Sequence, residues 1–227
     1  MTPTLFIVGT PIGNLGDFSP RAVEILKKVD FIAAEDTRHF SKIAQKFEIK
    51  TPKISFHAHS NPEKILEKLR GGAAVALVSD AGMPGISDPG AALVAAVAAE
   101  NFPVSPIPGP TAFVAALCAS GLPTDRFEFF GFLPQKKGRK TFFQNLEKRD
   151  HTAVFYESTH RIKKCLFQIA EFLPDRKIVV AREITKIHEE FLRGTAAEIA
   201  RIFEKFPEKQ KGEFVILVAG KKFKENF

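Results

Sequence analysis

Short apolar runs alternate with helical patterns along most of the chain. Leu5-Phe6-Ile7-Val8, Phe31-Ile32-Ala33-Ala34, Lys53 to Phe56 and Ala73 to Val78 read as strands. Most show no polar alternation, the pattern of parallel strands covered on both faces. Between them, Ala22, Ile25, Leu26 and Val29 fall on one face of a 3.6-residue period, as do Ile65, Leu66 and Leu69. Ser19-Pro20, Asn61-Pro62 and Asp88-Pro89 each set a capping side chain before a proline suited to the first helical position. This βαβα succession predicts an α/β fold with a mostly parallel sheet.

The pattern changes after about residue 113. Phe127 to Phe132 and Thr152 to Tyr156 read as strands flanking a basic helical stretch, and Ile162, Cys165, Leu166 and Ile169 mark one face of the next helix. Ile178 to Ile184 and Glu190 to Arg193 follow nearly in succession, which predicts an antiparallel pair. Thr195-Ala-Ala-Glu198 is a capping box opening a helix with Ile199, Ile202, Phe203 and Phe206 on one side, and Phe214 to Ala219 reads as a buried last strand. The expected organisation is two α/β domains, residues 1–115 with a mostly parallel sheet and residues 116–227 with a mixed one.

Composition narrows the class. Of 227 residues, 44% are apolar and 26% charged, as in an ordinary globular protein. The net charge of +7 favours a polyanionic partner, since lysine and arginine release counterions from phosphates. Part of that charge is clustered in Lys136-Lys137-Gly138-Arg139-Lys140, and part in Lys221-Lys222-Phe223-Lys224, which also reads as a solvated tail. The two cysteines, Cys118 and Cys165, have no metal spacing and make no disulfide framework. Nothing reads as a signal peptide or a membrane span, so the expected compartment is the cytosol.

Ligands of parallel sheets bind at the carboxyl ends of strands, so the loops there carry the candidate chemistry. Gly9-Thr10-Pro11-Ile12-Gly13-Asn14-Leu15-Gly16-Asp17 lacks both the dinucleotide glycine spacing and the Lys-Ser/Thr of a phosphate loop. By composition alone it is also a plain turn. Ser79 to Gly90 follows a buried strand, with Asp80 at the strand end and Asp88 best read as a cap. Pro106 to Ala112 is a third strand-to-helix loop. Glu35-Asp36-Thr37-Arg38-His39, His57 and His59, Glu157 to Arg161, and Arg182 to Lys186 with Glu189 place polar groups at further strand ends. None of these spacings makes a zinc site or a serine triad.

The segments TPIGNLGD, AAEDTR, SDAGMPGISDPG, PIPGPTA, SGLPTDRFEFFGFLP, FYESTHRI, REITKIHEE and KGEFVILVAG occur in that order, covering about residues 5 to 220. Together they resemble the bacterial ribosomal RNA cytidine 2′-O-methyltransferases of the tetrapyrrole-methylase superfamily, with the class III methyltransferase fold. Thr159 stands where that family usually has proline, and Cys118 where serine is common. Longer members carry a further C-terminal segment, so RNA contacts attributed to it are not carried over. The resemblance implies S-adenosylmethionine in a cleft between two domains, lined by Pro11, Gly13, Asp80, Gly82, Ile86, Ser87, Thr111 and Ala112, by Tyr156, and by backbone near Arg182. It also implies a homodimer whose partner is small-subunit ribosomal RNA, in the assembled 30S particle.

A ribose hydroxyl is a poor nucleophile, so the transfer needs a base or a charge stabiliser. The candidates are Glu35, Asp36, His57, Glu157, Lys186 and Glu189, with Asp36 as base and Lys186 as the cation fitting best and His160 as an alternative base. Arg38, Lys136, Lys137, Arg139, Lys140 and Arg161 are the expected phosphate contacts. Two other functions stay open on this reading: a tetrapyrrole C-methyltransferase of the same fold, and a non-catalytic RNA-binding assembly factor.

Overall fold

A computed structural model describes residues 2–224. Two compact units divide between Thr111 and Ala112.

The first unit is built on β1 (Leu5–Val8), β2 (Phe31–Ala34), β3 (Lys53–Ser55), β4 (Val75–Val78) and β5 (Val104–Ile107), with α1 (Pro20–Lys28), α2 (Thr37–Lys46), α3 (Glu63–Arg70) and α4 (Ala91–Ala99) between them. The strands form one parallel sheet in the order β3-β2-β4-β1-β5. Successive strand residues face opposite sides. Val8, Ile32, Ala34, Ala76 and Val78 therefore meet Leu26 of α1 and Phe40 of α2 on one face. Leu5, Ile7, Ala33, Val75 and Leu77 meet Leu69 of α3 and Leu93 of α4 on the other. The connections β1→β2→β3 run one way along the sheet and β3→β4→β5 run back. Crossovers of one hand then deposit their helices on opposite faces.

Of the three expected caps the first is formed; at α3 the N-cap position falls on Pro62 without a side-chain cap bond, and Asn61 instead accepts the N–H of Glu63 at 3.0 Å. Ser19 accepts the N–H of Ala22, with Pro20 in the first turn of α1. At α4, however, the cap is Gly90 at φ +148, with no side-chain bond, so the expected Asp88-Pro89 cap is not formed. A backbone at that φ is open to glycine and closed to most other residues, and it moves the helix start beyond the reach of Asp88.

The second unit contains α5 (Ala112–Ser120), β6 (Phe127–Phe132), α6 (Arg139–Leu146), β7 (Thr152–Ser158), α7 (Ile162–Phe172), β8 (Lys177–Arg182), β9 (Glu190–Thr195), α8 (Ala196–Lys205) and β10 (Glu213–Val218). Its sheet runs β6-β7-β10-β8-β9, with β6 and β7 parallel and the other pairs antiparallel. The mixed sheet and the β8–β9 hairpin are those the sequence predicts. Ala153, Phe155, Val180 and Ile216 pack with Phe143, Leu166 and Ile199 of α6, α7 and α8, while α5 lies across β7, β8 and β10. The Thr195–Glu198 capping box is formed in full. Among the described residues, no helix is long and apolar enough to cross a membrane.

Candidate active site

Within the first unit, strand order brings together three loops that lie far apart in sequence. β1 sits between β4 and β5, so the segments leaving their carboxyl ends are neighbours. Thr10 and Gly82 exchange backbone hydrogen bonds, at 2.9 Å and 3.1 Å. The fully buried Thr10 hydroxyl donates to the carbonyl of Ser79 at 3.2 Å. On the other side, Gly9 and Gly109 touch: a Cβ on Gly109 would lie 2.7 Å from Cα of Gly9. A Cβ on Gly82 would project between Ile12 and the carbonyl of Pro110, 3.5 Å from each. Glycine is required where Gly9 and Gly109 approach this closely, whereas at Gly82 it is the positive φ that favours glycine.

The loop after β4 is conformationally unusual. Gly82, Gly85 and Gly90 have positive φ, and so does Ser87, at 62°. A serine in the left-handed region carries local strain, which clusters at ligand-binding segments. Ile86 beside it is exposed, as are Ser87 and Gly13, whereas Pro11 is buried and Thr111 partly so.

Carboxylates gather at the β2 and β4 ends. The Asp80 carboxylate accepts the backbone N–H of Asp36 at 3.1 Å and so ties the two loops together. Burial, reinforced by the Asp80 charge, raises the carboxyl of Glu35 above its ordinary range. Burial together with the charges of Glu35 and Asp80 pushes Asp88 up to about 6, against the opposing Ser79 hydroxyl. Desolvated like charges resist joint ionisation, so Glu35 and Asp88 hold protons more tightly than free carboxylates do.

Asp36 stands apart from that group. It is the N-cap of α2, accepting the N–H groups of Arg38 at 2.8 Å and His39 at 3.4 Å. The Arg38 side chain, bonded to the same carboxylate, lowers its pKa. A capping carboxylate held in its charged form is a weak proton acceptor, which argues against its expected role as base. The Arg38 side chain is 91% exposed and open to a phosphate. His57 is exposed in a turn, its Nδ1 accepting from His59.

The second unit corrects two expectations. Arg139 is buried, and its guanidinium bonds Glu157 at 2.9 Å and Gln168 at 2.7 Å. Glu157 is 1% exposed, with its other oxygen held by Arg161 at 2.8 Å. Glu157 is thus the anionic centre of a buried ion triad, with no room to take a substrate proton. Arg139 is spent inside the fold and is not a phosphate contact. Both failures share a cause: a side chain in a basic run or at a strand end is catalytic or structural according to burial, which no local pattern encodes. Arg161 is partly buried in the same triad, while Lys136, Lys137 and Lys140 are exposed.

Lys186 lies in the β8–β9 turn, bonded to Glu183 and Glu213 at 2.9 Å each. Partial burial opposes its charge, but the two carboxylates outweigh it and hold the ammonium above the usual lysine range. The turn itself is pinned by Arg182, which donates to the carbonyls of Lys211 and His188, and it carries Glu183 and Thr185 at positive φ. The Glu189 carboxylate accepts the N–H of Thr185. Tyr156 on β7 sits between the rings of Phe129 and Phe132.

Sequence patterns missed the Gly9–Gly109 approach and the coupling of Glu35 with Asp88. The available signal was glycine at two strand ends, which says that a loop turns there but not which loop it meets.

Residues 4–200 match the profile of the tetrapyrrole (corrin/porphyrin) methylases. A ribosomal RNA small subunit methyltransferase I of Synechocystis sp. is 52% identical over 222 residues, 95% of this chain and 78% of that protein. One of the same name from Thermotoga maritima is 44% identical over 220 residues, 96% of this chain and 98% of its own length. Among solved structures, a diphthine synthase superposes with a TM-score of 0.73 at 15% identity, covering 97% of this chain and 91% of that one. The methyltransferase CobJ gives 0.71 at 21%, covering 98% and 96%. The structural likeness carries the fold, and the sequence relatives carry the relationship: the chain belongs to the tetrapyrrole (corrin/porphyrin) methylase family of methyltransferases.

Proposed function

We propose that this protein transfers a methyl group from S-adenosylmethionine to the ribose 2′-hydroxyl of a cytidine in the decoding region of small-subunit ribosomal RNA. The acceptor rests on one observation above all, the 52% identity over 95% of the chain to a relative named ribosomal RNA small subunit methyltransferase I. The tetrapyrrole alternative rests on the family profile, which does not separate acceptors, and on structures at the fold level of likeness.

The residues of the first unit suit the cofactor. The Gly9–Gly109 approach, which a single Cβ would force apart, and the glycine turn at Gly82 hold the three loops together at the strand ends. Pro11, Gly13, Asp80, Gly82, Ile86, Ser87 and Thr111 of this unit would hold the cofactor; Ala112 and Tyr156 are assigned to it by the motif resemblance alone. The Asp80, Glu35 and Asp88 carboxyls, gathered at the same strand ends, are acceptors for a cationic ligand. When bound, S-adenosylmethionine supplies an electrophilic methyl carbon on a sulfonium, and the work left to the protein is positioning, exclusion of water and custody of a proton.

For that proton, Glu35 is better suited than Asp36. Its pKa is raised by burial and by Asp80, whereas that of Asp36 is lowered by Arg38. A base is more effective when its pKa lies nearer the working pH. Lys186 is the cation for the developing oxyanion, and exposed Arg38, Lys136, Lys137 and Lys140 are the phosphate contacts. The same reading has the enzyme acting as a homodimer, in the cytoplasm, on the assembled small subunit.

The test is mass spectrometry of ribosomal RNA from cells with and without the protein, paired with methylation of purified small subunits by labelled cofactor. Loss of one ribose-methylated cytidine, restored in vitro, is the expected result. Label incorporated into a tetrapyrrole, and none into RNA, would overturn the reading.

A further inference from the structure

β6 is the edge strand of the second sheet, and a bulge changes what it presents. Phe129 stands opposite Val154, but Phe132 stands opposite Tyr156, so three steps along β6 match two along β7. The extra residue is accommodated near Gly131, at φ +59. In a regular strand, residue 131 would face Tyr156 and Phe132 would turn to the side of Phe130, which packs on the core beneath α6 and α7. The bulge instead re-aims Phe132 onto the face shared by Phe127, Phe129 and Tyr156. There it lies 5.4 Å from the Tyr156 ring and is 56% exposed.

A single exposed ring is common on protein surfaces, so it is the bulge and the neighbouring Phe127, Phe129 and Tyr156 rings, not exposure alone, that set Phe132 apart. Its neighbours indicate the partner. Four residues further on begins the run that carries Lys136, Lys137 and Lys140, all exposed and in no ion pair among the described residues. A ring that can stack, beside cations with no carboxylate partners, is the combination that holds single-stranded nucleic acid. A second copy of this chain would bring the same lysines to the contact and meet like charge. The other widely exposed phenylalanine, Phe167 at 70%, sits on α7 with no aromatic neighbour among the described residues.

We infer that Phe132, re-aimed by the β6 bulge and backed by Tyr156, is a stacking platform for an unpaired base of the RNA substrate, with Lys136, Lys137 and Lys140 on the adjoining phosphates. This rests on the ribosomal RNA reading above and adds where the strand is gripped.

The chain has no tryptophan, so Phe132→Trp in the full-length protein installs a single reporter. Its emission should be quenched by a short single-stranded oligoribonucleotide and not by a duplex of equal length. Phe132→Ala should weaken binding of that oligonucleotide about tenfold or more. Replacing the three lysines with alanine should lower the salt slope by about 2. Equal quenching in a Phe167→Trp variant, or wild-type affinity in Phe132→Ala, would overturn the platform. So would emission from Phe132→Trp that depends on protein concentration without RNA, the mark of a face between copies. Wild-type protein assayed alongside on purified small subunits separates the two ideas. Methylation there with an unaffected Phe132→Ala removes only the platform, whereas no methylation by wild type removes the RNA reading itself.

Discussion

Gly109→Ala tests whether the touching loops of the first unit are the cofactor wall. The new Cβ would lie 2.7 Å from Cα, 2.9 Å from the carbonyl carbon and 3.0 Å from the carbonyl oxygen of Gly9, all main-chain atoms that cannot swing aside. Carbon atoms rest at about 3.5–4.0 Å, so one loop must retreat by about 0.8 Å. Overpacking of this kind costs roughly 1–3 kcal/mol. At about 2–4 °C per kcal/mol for a chain of this size, Tm should fall by roughly 2–12 °C. The functional effect should be larger, because a displacement near 1 Å in a positioning element costs on the order of 100-fold in rate. Calorimetric titration with S-adenosylmethionine and single-turnover methylation, each beside a thermal melt, give the three readouts. Gly71→Ala is the control: its Cβ would meet only carbonyl oxygens at 3.4 Å, an ordinary contact, in the same unit. A Gly109→Ala protein that melts early yet binds cofactor with wild-type affinity would refute the assignment of these loops. One that melts normally would refute the close approach itself.

Three further perturbations probe the charged groups. The Asp88 carboxyl is raised to about 6 from 3.8, so its neutral form is favoured in the folded state. The resulting stability is fully present below about pH 4 and is lost as pH rises through about 6, roughly 1 kcal/mol once solvent screening of a half-exposed group is allowed for. Asp88→Asn should therefore flatten that part of the Tm–pH profile and stabilise the protein at pH 7; an unchanged profile would deny the coupling. Asp36→Asn keeps a good cap and should retain the methylation rate within about twofold, while Asp36→Ala removes the cap and should lower Tm. A loss of on the order of 100-fold in the Asn variant would return Asp36 to the role of base. Glu157→Ala leaves Arg139 buried and unpaired and should cost about 3–5 kcal/mol by denaturant unfolding. Adding Arg139→Met should restore part of that loss, and strictly additive effects would show that the pair is not coupled.

Most elements and the lineage can be read from the order of residues alone. Short apolar runs, the 3.6-residue period, the Ser19-Pro20 start, the Thr195–Glu198 box and the β8–β9 pair were all legible, because each depends on residues a few positions apart. The ordered motifs named the family for the same reason, as text. Which distant groups meet is a property of the packed chain. Thr10 bonds Ser79 across 69 positions, and no local pattern says that β4 and β5 flank β1. Burial then sorted chemically similar residues into different roles. Arg139 went into the core while Lys136, Lys137 and Lys140 stayed in solvent; Asp36 became a cap while Glu35 was desolvated beside Asp80. Ionisation and reactivity follow from desolvation and neighbouring charge, and both are properties of the packed chain.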